Sequence, residues 1–186
     1  MLNALADAGE VTLLAIMVNA IPSVCTAAVS VLQHYYGRDN VPIGAYKGGG
    51  KYNISHPYVS MLVDNWPSPI RSSAQVPDAT ELYRRVLATQ DDRTAVIASV
   101  GMASNLASLL RSPPDAHSRL SGRELVSRKV RLLGVMGGKY PSGRECNLQK
   151  EPRSFADLFE MLPPNVPTFF LGFEVKICAP LRTCFI

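Results

Sequence analysis

One stretch of this 186-residue chain combines residue types and spacing suited to chemistry: Val135-Met-Gly-Gly-Lys-Tyr-Pro-Ser-Gly-Arg-Glu-Cys-Asn147. An apolar run ends, Gly137 and Gly138 let the backbone turn, and a loop then delivers a carboxylate and an amide two residues apart. On an extended segment, side chains at i and i+2 point the same way. Glu145 and Asn147 are therefore expected to converge on one polyhydroxylated ligand, the Glu accepting hydrogen bonds and the Asn both donating and accepting. From spacing alone, ordinary polar loop side chains are the simpler reading.

Other constellations point away from chemistry. Lys47-Gly-Gly-Gly-Lys51 suggests a phosphate-binding loop, but Ala45 stands where the first glycine is required and Tyr52 where the metal-binding Ser or Thr belongs. A flexible loop is expected there. The cysteines (Cys25, Cys146, Cys178, Cys184) form no C-x-x-C pair, and His34, His56 and His117 stand apart. That spacing argues against zinc and for reduced thiols. The net charge of +4 comes with no block of like charges, so no nucleic-acid partner is expected. No apolar run approaches the ~18 residues of a membrane span. The longest, Val11–Val18, lies between Glu10 and Asn19. The N-terminus lacks a secretory pattern, so the expected compartment is the cytoplasm, with no membrane partner.

Positioning the Glu–Asn pair requires a scaffold, and the hydrophobic pattern supplies one. Val11–Val18, Val41–Gly44, Thr94–Val100, Val130–Met136 and Thr168–Phe173 read as strands, the first a continuous apolar run suited to a sheet covered on both faces. Helices are predicted over Pro22–Gly37, Pro77–Gln90, Ser104–Arg111 and Phe155–Met161. Ser121-Gly-Arg-Glu124 has capping-box spacing and opens another. Tyr46–Ser55 and Trp66–Val76 read as Gly- and Pro-rich loops. Strand–helix–strand alternation with 47% hydrophobic residues predicts an α/β, doubly wound, mostly parallel sheet. Ligands in such sheets sit beyond the carboxyl ends of the strands, which draws attention to Asn19–Pro22, Val100–Asn105 and Met136–Asn147.

In that frame the 135–147 stretch resembles the M-G-G…G-x-E-x-N segment of inosine/uridine-preferring nucleoside hydrolases. Leu5–Asn19, Tyr35–Gly44, Val96–Ala107, Leu120–Val126 and Gly172–Val175 resemble other segments of the same family, in chain order. The resemblance implies a Rossmann-like domain over residues 1–175, with a divergent tail over 176–186 that starts where Lys176 replaces the family's usual Gly. It implies a protein type that hydrolyses the N-glycosidic bond of ribonucleosides, with calcium orienting the ribose and the attacking water. Glu145 and Asn147 match the ribose-binding pair, Met136 a pocket-lining residue, and Asn19 or a neighbour a ribose-side Asn.

The matches also imply what is missing. The family's first strand and its calcium-binding aspartate cluster precede the helix that Leu2–Ala8 resembles, and only the backbone carbonyl of Val100 matches a metal ligand. The expectation is a truncated, inactive form that does not bind calcium, with no catalytic residue, a ribonucleoside as possible ligand and homo-oligomers as possible assemblies. A non-catalytic nucleoside-binding or subunit-interaction protein is the alternative, and an unrelated doubly wound domain a third reading. Without the first strand, those at Val11–Val18 and Thr94–Val100 are expected to be either unpaired on one side or forced together.

Overall fold

A run of short parallel strands separated by helices organises the computed structural model, which describes residues 2–48 and 57–174. Two compact units, Met1–Val86 and Leu87–Ile186, divide it.

In the first unit, helix α1 (Leu2–Asp7) is held by Asn3, which donates to Gln33 at 3.0 Å, and by Asp7, which pairs with Arg38 at 2.6 Å. Strand β1 (Ile16–Val18) leads through Pro22 into α2 (Ser23–Tyr35), where proline's fixed φ suits a helix start. Gly37 at φ 65° stops α2, a left-handed conformation that costs glycine little. Strand β2 (Ile43–Ala45) pairs in parallel with β1 in the register Ile16–Ile43, Met17–Gly44, Val18–Ala45. Ala27, Ala28 and Val31 of α2 pack on Val59 and Val63 of α3 (Pro57–Asn65), while Val18, Ile43, Ala45 and Val76 form a second cluster. Helix α4 (Ala79–Ala88) closes against β2: a Cβ on Gly44 would lie 3.0 Å from Leu82 Cδ2 and 3.1 Å from Ala79 Cα, so the helix would have to give by a few tenths of an ångström to admit one.

The second unit holds β3 (Ala95–Ser99), α5 (Ser104–Arg111), α6 (Gly122–Lys129), β4 (Val130–Met136), α7 (Cys146–Lys150), α8 (Pro152–Met161) and β5 (Thr168–Leu171). The strands run parallel in the order β3-β4-β5, as helical crossovers require. The predicted capping box is present: Ser121 accepts from the Glu124 N–H, and the Glu124 carboxylate accepts from Ser121 in return. The Ser121 hydroxyl, and then its backbone N–H, hold the Glu124 carboxyl below the usual carboxylate range. One face of the sheet is covered, with the Phe159 ring of α8 set 5.5 Å from Phe170 and with Phe155, Leu158, Leu106 and Leu109 buried. On the other face, Val96, Phe169 and Leu171 are exposed.

The α/β architecture with parallel strands is as the pattern predicts, with corrections. The first strand is confined to Ile16–Val18, because β2 offers a ladder of three residues and the apolar run 11–15 has no strand beside it among the described residues. Instead of one continuous sheet, the described strands form two, β1-β2 and β3-β4-β5. Helices α3 and α7 fall where no helix is predicted, and the Trp66–Val76 loop contains a short 3-10 turn at Ser73–Gln75. Residues 49–55 of the predicted loop and the tail 176–186 lie outside the described residues. Among those described, no helix is long and apolar enough to cross a membrane.

Candidate functional site

The carboxyl ends of β3, β4 and β5 lie side by side, and the chain segments that leave them build the candidate site. Past the last ladder pair of β3 and β4, Ser99–Val135, come Val100 and Met136. Val100 is 76% exposed, whereas Met136 is half-buried. Gly137 continues the ladder by donating to the Leu171 carbonyl at 3.0 Å, and Phe173 donates back to the Gly138 carbonyl at 2.9 Å. Gly138 has φ 90°, so the turn after β4 uses the freedom that a glycine pair provides. A Cβ on Gly137 would stand 2.7 Å from Leu148 Cδ1, which is how closely α7 folds back over the strand end.

Glu145 and Asn147 meet at this turn, but not along an extended segment. The helix starts at Cys146, and Glu145 is its N-cap: one carboxylate oxygen accepts from the Asn147 N–H at 2.9 Å and the other from the Leu148 N–H at 3.1 Å. The predicted extended geometry of 145–147 is thereby corrected, because a carboxylate that caps a helix start satisfies donors the helix leaves open. Glu145 is 4% exposed. The Asn147 amide donates to the Met136 carbonyl at 3.3 Å and lies 3.2 Å from the Met136 sulfur. Three of the sequence-selected residues are thus joined into one hydrogen-bonded group. Val100 sits at the same sheet end, whereas Asn19 lies just past β1 in the first unit.

Two further neighbours stand out in the structure. Glu151, the N-cap residue of α8, accepts from the Ser104 N–H at 3.2 Å and so occupies the start of α5, where a negative charge is favoured. Asn105, one position further, is 3% exposed, and among the described residues neither its carboxamide nitrogen nor its oxygen has a hydrogen-bond partner. Each buried polar atom left so costs on the order of 1–3 kcal/mol. Glu151 carries no local signal for this role, since it lies 47 residues from its partner. Asn105 belongs to the Val100–Asn105 segment after β3, and that position is the only signal it gives.

The group offers hydrogen-bond acceptors at the strand ends. A carboxylate has roughly four acceptor sites, so each Glu145 oxygen keeps capacity beyond its one backbone bond. Nothing among the described residues donates to the Asn147 side-chain oxygen. Calcium, by contrast, takes ~6–8 oxygen ligands. Among the described residues, no three His, Cys, Asp or Glu side chains gather into a group that could hold a metal ion. The described residues set no such group of carboxylates around the Val100 carbonyl.

No protein-family model matches the sequence, and no curated protein matches it. Among solved structures, the fold is similar to that of an inosine-uridine preferring nucleoside hydrolase from Bacillus anthracis, with a TM-score of 0.63 at 16% identity. The alignment covers 90% of this chain and 57% of that one, so this chain spans little more than half of that structure's length. At such identity the likeness is one of fold.

Proposed function

We propose that this chain is of nucleoside hydrolase type and holds the ribose of a ribonucleoside at the carboxyl ends of β3–β5 without breaking its N-glycosidic bond. The carrying observation is the placement of Glu145 and Asn147 together at the end of β4, where open α/β sheets bind their ligands. The fold likeness supports the same reading. Glu145 and the Asn147 carboxamide oxygen offer acceptors to ribose hydroxyls, Met136 is assigned to the pocket lining by resemblance, and the Asn105 carboxamide adds a donor and an acceptor. Asn19 is assigned to the ribose side by resemblance alone. Cleavage needs a base on the attacking water and stabilisation of an oxocarbenium-like ribose. The cytoplasm is the compartment that goes with this reading.

The test joins turnover to binding. Ribose release from inosine and uridine, followed by a reducing-sugar assay with calcium added, is expected to stay at background. Release that vanishes in Glu145→Ala would refute the non-catalytic reading. Calorimetric titration with inosine is expected to detect binding that Asn147→Ala weakens about tenfold, the ~1.4 kcal/mol of one hydrogen bond. Asn105→Leu is expected to weaken binding while leaving unfolding stability unchanged or higher, since an unsatisfied buried amide is removed. No binding of inosine, uridine or free ribose would remove the ribose assignment.

A further inference from the structure

Glu151 joins the two helices that carry the polar side chains of the site. Its backbone N–H donates to the Asn147 carbonyl at 3.2 Å, where α7 ends. Its carboxylate reaches α5 and accepts from the Ser104 N–H at 3.2 Å. Asn105 follows Ser104 directly, so one residue links the segments that bear Asn105 and Asn147. The side chain does this in place of a more local task. Glu151 is the N-cap residue of α8, yet it makes no capping hydrogen bond to that helix. Helix α8 thereby forgoes the bond that Ser, Thr, Asp or Asn would supply at this position. The carboxylate instead meets the start of α5, where its charge is favoured. A second link between the same helices, the pair of Arg111 and Asp157, stands at the far end of α5. That pair fastens α5 to α8 without Glu151, which leaves the first turn of α5 for Glu151 to set.

We propose that Glu151 is a positioning residue, which holds the first turn of α5 against α7 so that Asn105 and Asn147 meet one ligand. The inference rests on the ribose reading above. Asn105 needs such support, because among the described residues no hydrogen bond holds either polar atom of its carboxamide. A binding group displaced by as little as about 1 Å loses much of its effect, so its place must be fixed by neighbours. Glu151 supplies that through the backbone next to Asn105 and touches neither carboxamide itself.

Calorimetric titration with inosine, paired with urea denaturation, tests this on the whole chain. Glu151→Ser exchanges the link to α5 for a local cap on α8. It is expected to bind about tenfold more weakly at an unchanged unfolding midpoint. Glu151→Gln keeps an uncharged acceptor oxygen, which makes a weaker bond, and is expected to lose only about threefold. Asp157→Ala loosens the same two helices away from the site and is expected to bind as the wild type does. In an Asn105→Leu chain, Glu151→Ser is expected to cost little further affinity, since it acts through Asn105. Wild-type affinity in the glutamine chain overturns the proposal, whether or not the serine chain folds. An undiminished loss in the Asn105→Leu chain overturns it as well, as does an equal loss in Asp157→Ala. In each of these cases, inosine binding by the wild type leaves the ribose reading standing. A wild type that binds neither inosine nor uridine removes that reading and this proposal together.

Discussion

A carboxylate that accepts from two backbone N–H groups at a helix start, as Glu145 does, is held in place before any ligand arrives. The cap and the proposed ribose contact use different acceptor sites on the same oxygens, so substitution separates them by readout. Glu145→Ala is expected to lower unfolding stability by about 1–2 kcal/mol through the lost cap, read by urea denaturation. Glu145→Gln, which keeps one acceptor oxygen, is expected to lose less. A Glu145→Ala chain as stable as the wild type would show that the cap contributes nothing. The spacing of Glu145 and Asn147 was legible in the sequence; the helix start between them was not. Glutamate is outside the preferred N-cap set of Ser, Thr, Asp and Asn, and α7 spans only Cys146–Lys150. The Glu151–Ser104 bond was invisible for a different reason. It depends on α5 and α8 packing together, which no local pattern encodes.

At the scale of elements, α5 and β4 follow their predicted bounds because each carries its own stop signals: Pro113–Pro114 beyond one, Gly137–Gly138 beyond the other. Helix α3 has neither an acidic first turn nor a basic last turn to mark it, and its apolar face is defined by α2, a tertiary partner. The apolar run at Val11–Val18 reads as a longer strand than it forms, because a strand's length is set by its ladder as well as by its composition. The join between α5 and α6 also escapes the sequence. Gly122 opens α6 and donates to the Ser112 carbonyl at 2.8 Å, so close to α5 that a Cβ would fall 1.6 Å from the Leu109 carbonyl oxygen. Backbone, unlike the tip of a flexible side chain, cannot swing aside. Gly122→Ala is therefore expected to destabilise the fold by about 1–3 kcal/mol or more, although alanine is the better helix former. A denaturation midpoint equal to the wild type's would contradict that packing.

Across the whole molecule, the two units differ in how their strands are supported. Strand β4 is paired on both sides over a seven-residue strand, and Val130, Leu133 and Val135 are buried. Strand β1 has three residues and one partner, which itself has three. Parallel ladders are slightly weaker per residue than antiparallel ones, and two-stranded pairings alone are marginal in water. The helices α2 and α4 supply what support β1-β2 has, so their local opening should limit it. Native-state hydrogen exchange reads such openings residue by residue. Amides of Leu132–Val135 are expected to exchange slowest, near the free energy of global unfolding. Those of Ile16–Val18 are expected to open at roughly 3 kcal/mol less, about a hundredfold faster. Equal protection of β1 and β4 would mean that the chain unfolds as one cooperative body despite its two sheets.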